Sequence, residues 1–328
     1  MAAILRSLFI FSSLLPASSS FPDHHHQSPP LPFPSNSILQ KSIKLGEGLL
    51  EKPEDVAVDR RSGFLYTATR DGWIKRIPRN GSRWENLHHV DSHALYGLDI
   101  TAAGDVIVCD SNKGLLKINK NGVQILVSQV NGKSARYANA VSASTNGKLY
   151  FSISVNVKNE TSTGKLVEFD PSTSKSSILI DHIDFANGVA VSKNQDFVVV
   201  CETYKYRCLK YILEGKDAGK SKIFVDKLPG LPDNIHVAPD GSFWIALLLI
   251  KPGTKLEFQS KNVRKTPEVD NKALVVNVAA DGKIIKGFDD PTGAVMSFVT
   301  SALEFEGNLY MGGLRNNYVG KLALPSMY

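Results

Sequence analysis

A pattern of apolar strands and Gly or Asn turns recurs six times along the chain. Each copy opens with a short apolar strand, passes through a turn into a second apolar strand, and is followed by further strand-like sequence. The copies begin near residues 53, 96, 138, 186, 232 and 301. The first five lie roughly 42 to 48 residues apart, which is the period of propeller blades. The pattern predicts an all-β fold, a six-bladed β-propeller with four-stranded blades around a central tunnel.

The repeat places one position of every blade around the tunnel axis, so residues far apart in sequence become neighbours. The residues at that position are Glu54, Tyr96, Asn139, Asn187, Asp233 and Ser301, with Asn234 beside Asp233. Carboxylate and amide oxygens, without Cys or His, are the ligands that Ca²⁺ prefers. We therefore predict one calcium ion at the tunnel mouth, held by Glu54, Asn139, Asn187, Asp233 and Asn234. Asn and Asp before a strand are also common turn residues, but their shared repeat position favours ligation.

The N-terminus has a different character from the repeats. Residues 1–20 contain Arg6, an apolar run and then Ala17 and three serines, which is the layout of a secretory signal peptide. The apolar run is too short to span a bilayer as a helix. Residues 21–44 are rich in His, Pro and Ser and are expected to form a flexible leader. Residues 45–328 are then expected to form a single propeller domain, because all-β folds of this length commonly occur as one domain.

A secretory route gives meaning to two further features. Asn80 and Asn159 each begin an N-glycosylation sequon in a loop-like stretch. Of the three cysteines, Cys201 and Cys208 flank a six-residue segment. They form either a hairpin disulfide or two buried thiols on adjacent strands. The expected destination is the vacuole, with the endoplasmic reticulum and the cell exterior as alternatives.

Charge and motif content exclude several classes of function. The formal net charge of +6 is spread along the chain, without a basic stripe interleaved with aromatic residues, so nucleic acid is not an expected partner. The sequence has no Gly-x-Ser-x-Gly elbow, phosphate-binding glycine loop or dinucleotide fingerprint. We expect a monomer that binds a small-molecule substrate and has no stable membrane span.

Five stretches resemble the plant strictosidine synthase-like proteins. They are Lys52–Asp59, Gly164–Pro171, Phe185–Ala190, Cys201–Thr203 with Arg207, and Leu228–Ile235. The resemblance covers nearly the whole chain after the leader, in the same order.

The resemblance implies two possible chemistries, and the first is condensation. Strictosidine synthase joins tryptamine to the aldehyde secologanin, with an essential glutamate in its sixth blade. Counted back from Gly307, that position is Thr300 here. A hydroxyl cannot replace a carboxylate as general base, so this activity is not expected.

The second chemistry is hydrolysis. The wider superfamily contains paraoxonases, senescence marker protein and squid-type phosphotriesterases, in which a tunnel calcium polarises an ester, lactone or phosphoester. The five predicted ligands match the calcium ligands of those hydrolases. The resemblance implies that Asp233 activates water or attacks directly. His236 is then a candidate proton shuttle, as are His88, His89 and His93.

Three hypotheses follow for function. The first is a calcium-dependent hydrolase of esters or lactones. The second is a condensing enzyme or lyase of alkaloid metabolism that uses a different base. The third is a non-catalytic propeller that binds a small molecule or a protein, with calcium as a structural plug.

Overall fold

The structure is a computed structural model that describes residues 29–79, 81, 83–154, 164–251 and 268–325. The predicted signal peptide, the start of the leader and the two sequon asparagines, Asn80 and Asn159, lie outside the described residues. No helix among the described residues is long and apolar enough to cross a membrane.

Six four-stranded antiparallel sheets form the ring, which confirms the predicted six-bladed β-propeller. Strands are numbered along the chain, beginning with β1 (Ile43–Leu45). Blade 1 consists of β2 (Val56–Asp59), β3 (Phe64–Ala68), β4 (Trp73–Ile77) and β5 (Glu85–His89). Blade 2 consists of β6 (Leu95–Ile100), β7 (Val106–Asp110), β8 (Gly114–Asn119) and β9 (Gly122–Val127), and the small hairpin β10 (Gln129–Val130) and β11 (Lys133–Ser134) follows it. Blade 3 consists of β12 (Ala138–Ala143), β13 (Leu149–Ile153), β14 (Gly164–Asp170) and β15 (Lys175–Ile183).

Blade 4 consists of β16 (Ala186–Val191), β17 (Phe197–Glu202), β18 (Arg207–Ile212) and β19 (Ser221–Val225). Blade 5 consists of β20 (Leu231–Val237), β21 (Phe243–Leu248), β22 (Ala273–Val278) and β23 (Ile284–Asp290). Blade 6 consists of β24 (Ser301–Phe305), β25 (Asn308–Gly312) and β26 (Val319–Ala323), with β1 as the fourth strand. Two short 3₁₀ helices occupy Ile38–Lys41 and Thr203–Lys205. The first strand of each blade lines the tunnel. We call the end where these inner strands begin, beside Glu54 and Asp233, the upper mouth, and the end where they finish, beside Asp59 and Val237, the lower mouth.

Hydrophobic cores lie between the blades. Among the described residues, buried apolar side chains form six clusters, and each joins two neighbouring blades. Val199 of blade 4 and Ile245 of blade 5 share one cluster, and Val56 of blade 1 shares another with Leu303 of blade 6. Apolar side chains project from both faces of the inner sheets, which is why the strands read as continuous Val-, Ile- and Phe-rich runs rather than strict alternations.

The turn between the first two strands of each blade needs a left-handed residue. Glycine fills this position in five blades, and glutamine fills it in blade 4. The residues and their φ angles are Gly63 (74°), Gly104 (88°), Gly147 (88°), Gln195 (64°), Gly241 (91°) and Gly307 (69°). Because glycine has no Cβ, it adopts positive φ without the steric cost that other residues bear. This requirement produces the Gly element of the repeat.

The N-terminal segment closes the ring. Strand β1 pairs antiparallel with β26, so the last blade takes its outermost strand from the start of the chain. Ahead of it, the backbone N–H groups of Asn36 and Ser37 donate to Asp289 Oδ1 at 2.9 and 2.8 Å. Leu39 is fully buried in the cluster between blades 5 and 6.

This docking differs from the expectation of a flexible leader over residues 21–44. The described part of that segment, from residue 29, includes an anchored helix and a propeller strand. The physical reason is a few apolar side chains within the polar composition. Phe33 packs against the cluster between blades 4 and 5, while Ile38 and Leu39 enter the next cluster.

Leu39→Ala is expected to lower the free energy of unfolding by about 2–5 kcal/mol, because the substitution leaves a cavity in a closed core. Ile43→Ala is the matched control, since Ile43 is 57% exposed on the edge strand and its loss should cost less than about 0.5 kcal/mol. Urea unfolding of the two variants measures the difference. Equal losses would show that the segment does not anchor the ring.

Candidate metal centre at the upper mouth

The inner strands of blades 2 to 5 are irregular where they begin. Their pairing register shifts between Leu95 and Leu98, Ala138 and Val141, Ala186 and Val189, and Pro232 and Ile235. A β-bulge re-aims side chains and often lies beside a functional site. Asn139, Asn187, Asp233 and Asn234 all fall within these irregular stretches, and Glu54 stands two residues before its own inner strand.

Close backbone contact brings two of these stretches together. A Cβ at Gly188 would lie 2.4 Å from the Asp233 carbonyl oxygen and 2.7 Å from the Asn234 Cα. Any larger residue would force blades 4 and 5 apart at the height of the predicted ligands. The glycine after Asn187 is therefore required by packing.

The five predicted ligands are buried, and hydrogen bonds join two pairs of them. Glu54 and Asn234 are 1% exposed, Asn187 and Asp233 are 4% exposed, and Asn139 is 8% exposed. Asn234 Nδ2 donates to Glu54 Oε1 at 2.7 Å, and Asn187 hydrogen-bonds the Asp233 carboxylate. Each carboxylate thus receives an amide N–H, which leaves the amide oxygens for another partner.

Four oxygens of this set have no hydrogen-bond partner among the described residues. They are Glu54 Oε2, Asn139 Oδ1, Asn187 Oδ1 and Asn234 Oδ1. A buried polar atom without a partner costs roughly 1–3 kcal/mol, and buried polar groups are nearly always satisfied in native proteins. A cation coordinated by several oxygens would give all four of these oxygens a partner. The residues therefore fit the calcium ion that the sequence predicts.

The donor set selects for a hard cation. Across the described ranges, no group of three or more His, Cys, Asp or Glu side chains is arranged to hold a metal. The centre instead combines two carboxylates with three amides. Neutral amide oxygens are typical ligands of Ca²⁺, whereas softer transition metals select imidazole and thiolate.

Burial disfavours the charged forms of both carboxylates. It raises the pKa of Glu54 well above the usual range, and the negative charges of Asp233 and Asp55 add to the shift. Burial also raises the pKa of Asp233 to about 7, although the hydrogen bond from Asn187 opposes the change. A bound divalent cation would reverse both effects, since an opposite charge favours the ionised carboxylate.

His236, predicted as a proton shuttle, lies deeper in the tunnel. Its Nε2 is 2.8 Å from Asp55 Oδ1. Burial lowers the pKa of His236, but the carboxylates of Asp55 and Asp99 outweigh burial and hold the pKa above its ordinary value. Asp55 also accepts the backbone N–H groups of Val56 and Leu98. Sequence reasoning missed Asp55, although its position directly after Glu54 could have indicated a second carboxylate in the tunnel.

Among the described residues, none of the other three candidate histidines is hydrogen-bonded to a predicted ligand, although His93 lies beside Arg70 near the upper mouth. His88 and His89 are in β5, the outermost strand of blade 1. His93 follows in the loop to blade 2, and its Nδ1 is 3.0 Å from the Arg70 carbonyl oxygen. The structure does not bring these three histidines together with the predicted ligands.

Thr300, at the position where the family glutamate is expected from the sequence, contacts the backbone of two segments that carry predicted ligands. Its hydroxyl donates to the Glu54 carbonyl oxygen at 2.6 Å, and its own carbonyl accepts the Asn234 N–H at 3.0 Å. It is fully buried. Thr300 therefore joins two ligand-bearing segments from blades 1 and 5.

Two further features near the upper mouth were not predicted. The Arg70 guanidinium stacks over the Tyr96 ring, 3.8 Å from its centroid. Its positive charge partly opposes the rise in the pKa of Glu54. In blade 4, buried Glu202 accepts from Arg207 at 2.6 Å and pairs with Ala186, next to Asn187. Both place a cation close to a buried carboxylate of the upper mouth.

Cys201 and Cys208 face each other on β17 and β18 and are joined as a disulfide. Cys109 is a buried free thiol. The disulfide fixes the strand that pairs with β16, which carries Asn187.

Comparison with known proteins places this geometry in context. A strictosidine synthase family model matches residues 141–216, and a model of the N-terminal region of strictosidine synthase-like proteins matches residues 32–77. The chain is 32% identical to strictosidine synthase-like protein 6 of Arabidopsis thaliana, over 95% of this chain and 87% of the relative. It is 29% identical to the adipocyte plasma membrane-associated protein of Mus musculus, over 98% of this chain and 86% of the relative.

Solved structures share the fold at low sequence identity. A gluconolactonase from Xanthomonas campestris has a TM-score of 0.68 at 16% identity, covering 88% of this chain and 92% of its own. The calcium-binding protein regucalcin from Agrobacterium tumefaciens has a TM-score of 0.62 at 14% identity, covering 84% and 90%.

Asp233→Asn is expected to change the pH dependence of stability in metal-free protein. The folded pKa of about 7 lies above the ordinary value of an unfolded Asp. The stability of the protonated form is therefore fully present below that ordinary value and is lost as pH rises through about 7. Between pH 5 and 8 the wild type should lose about 2–3 kcal/mol relative to the variant. Urea unfolding in chelator measures this difference, and parallel profiles would contradict it.

Thr300→Val is expected to cost about 1–3 kcal/mol, because it leaves the buried Glu54 carbonyl without its hydroxyl donor. Thr300→Ser keeps the donor and should cost less. Chemical denaturation in calcium and in chelator compares the two. An unchanged stability in the valine variant would show that the hydroxyl does not support the Glu54 segment.

Proposed function

The chain belongs to the strictosidine synthase-like family, and we propose that it is a calcium-dependent hydrolase of esters or lactones. The observation that carries the proposal is the set of four buried oxygens without hydrogen-bond partners, on four of the five predicted ligands. A purely structural tunnel lining would pair these oxygens with protein donors.

The chain's own residues would hold the ion and the substrate. Glu54, Asn139, Asn187, Asp233 and Asn234 supply the ligand oxygens. When bound, calcium supplies Lewis-acid polarisation of a carbonyl oxygen. The amide N–H groups of Asn187 and Asn234 keep the two carboxylates oriented, so that the ligand set is organised before substrate arrives.

Asp233 is the residue that we assign to water activation. Its carboxylate is buried at the upper mouth, and a carboxylate there can take a proton from water as the water oxygen bonds to the carbonyl carbon. The ester bond then breaks, so that a lactone yields a hydroxy acid and an ester yields an acid and an alcohol. His236 remains our candidate for carrying the proton away, since it is hydrogen-bonded to Asp55 beneath the centre.

The family relatives and structural neighbours are consistent with this assignment. The gluconolactonase and regucalcin show that this propeller fold supports lactone hydrolysis and calcium binding in other proteins. At 16% and 14% identity these structures support the fold alone. The chemistry proposed here therefore depends on the ligand set of this chain.

Condensation of an amine with an aldehyde receives no support from the site. Thr300 stands where the family glutamate is expected, and its hydroxyl is engaged with the Glu54 backbone. A buried alcohol held in this way does not exchange protons with an amine near neutral pH. We therefore favour hydrolysis over the synthase reaction.

We also propose that the protein matures in the secretory pathway. The disulfide between Cys201 and Cys208 fits an oxidising compartment, as do the signal-like N-terminus and the two sequons. The vacuole is our preferred destination, with the endoplasmic reticulum and the cell exterior as alternatives.

The test is hydrolysis of a panel of aryl esters and lactones by the purified mature protein, with calcium and with chelator. Turnover should require calcium. Asn187→Ala removes a ligand oxygen, and Asp233→Asn removes the carboxylate that activates water. Each should lower kcat/KM by about 100-fold. Asn194→Ala is the matched control, since Asn194 is exposed in a turn of the same blade and should leave turnover unchanged.

Calcium binding, measured by calorimetry on the same variants, separates the remaining possibilities. Calcium binding and calcium-dependent stability without turnover of any ester or lactone would favour a binding propeller. Condensation of an amine with an aldehyde in the presence of chelator would favour the synthase class. Either result would overturn the hydrolase proposal.

A further inference from the structure

A cavity opens at the lower mouth, opposite the predicted metal ligands. Its volume is about 550 Å³, and inner strands or their following turns from all six blades line it. This volume is within the range of small-molecule sites. None of the five predicted metal ligands is part of its lining. We call it the lower-mouth cavity.

The walls of the lower-mouth cavity are largely apolar, with His236 and several Ser and Thr residues among them. Six buried side chains form much of them: Val58, Val141, Val189, Val191, Ile235 and Leu303. Branched apolar side chains around a narrow tunnel favour the body of an apolar ligand over bulk water.

The rim carries three cations, Arg60, Arg61 and Lys193. Arg61 is held by Asp59, with its Nε 3.3 Å from Oδ1. Lys193 Nζ donates to the Pro239 carbonyl at 2.7 Å. Arg60 is exposed, and the ion pairs found among the described residues include none to it. Arg60 therefore offers an unneutralised guanidinium at the edge of an apolar cavity.

Both carboxylates in the lining are already satisfied by protein donors. Asp99 accepts the backbone N–H groups of Ile100 and Ala143 at 2.7 and 2.8 Å. Asp59 accepts from Arg61 and from the Ser62 hydroxyl. The lining therefore holds three cationic side chains, Arg60, Arg61 and Lys193, against the two carboxylates of Asp59 and Asp99, so its formal charge is positive.

We propose that the lower-mouth cavity binds a small organic monocarboxylate with an unbranched apolar body, for which octanoate is the probe. The apolar chain lies against the valine-rich walls, and the carboxylate meets Arg60 at the rim. A guanidinium suits this role because it binds carboxylates through two parallel hydrogen bonds. The site contains none of the predicted metal ligands, although His236 lines it, and the proposal does not depend on hydrolase activity.

Isothermal titration calorimetry with octanoate tests the site on the mature protein. Octanoate should bind, whereas octanol and octylammonium of the same chain length should bind at least about tenfold more weakly, because they lack the negative charge. Raising the salt concentration should weaken octanoate binding, since the Arg60 contact is at the rim and exposed to screening.

Arg60→Ala should weaken octanoate binding by about tenfold. Arg83→Ala is the matched control, because Arg83 is an exposed arginine of the same blade outside the cavity lining and its loss removes the same charge. Asn187→Ala alters the metal centre and should leave octanoate binding unchanged.

Three outcomes would overturn the proposal. The first is the absence of octanoate binding to the wild type. The second is equal weakening by Arg60→Ala and Arg83→Ala, which would indicate a general charge effect. The third is loss of binding in Asn187→Ala alone, which would place octanoate at the upper mouth. If the wild type hydrolyses no ester or lactone but still binds octanoate, the hydrolase proposal fails and the proposal for the lower-mouth cavity stands.

Discussion

Ring closure by the N-terminal strand is the constraint on which the rest of the molecule depends. β1, which ends at Leu45, pairs with β26, and Glu54 stands at the start of blade 1 shortly after it. Closure therefore brings Glu54 to Asn234 of blade 5, 180 residues away, and to Thr300 of blade 6. Without this pairing, blade 6 would lose its fourth strand, and the candidate metal centre would lose part of the support that positions Glu54.

The upper mouth concentrates negative charge in a place where water is scarce. Glu54, Asp55 and Asp233 are all at most 4% exposed. The negative charges of Asp233 and Asp55 raise the pKa of Glu54, and the charge of Asp55 raises the pKa of Asp233. Burying several carboxylates without a cation is costly. The pattern makes sense when one group is neutralised by His236 and the other two share a divalent ion, which is the arrangement that the unpaired amide oxygens favour.

The two ends of the tunnel differ in chemistry because the inner strands run in one direction. Their starts are bulged and expose polar side chains towards the axis. Their ends are regular, so valines face the axis, and the basic turns that follow the inner strands of blades 1 and 4 reach the rim. Asp55 and His236 lie between these halves and separate an oxygen-rich centre from an apolar cavity.

The sequence by itself determined the repeat, and with it the number of blades, their strand content and the register of the five predicted ligands. Periodicity and turn glycines are local properties, so they can be read without coordinates. Only the tertiary structure decided the pairing of Asp55 with His236 across 181 residues, the engagement of Thr300 with the Glu54 backbone, and the docking of Leu39. Each of these contacts depends on how the ring closes and where the bulges turn the side chains, which composition and spacing do not encode. The polar composition of residues 21–44 also gave no indication that a few apolar side chains of this segment are buried, because burial depends on the partner surface as well as on the segment.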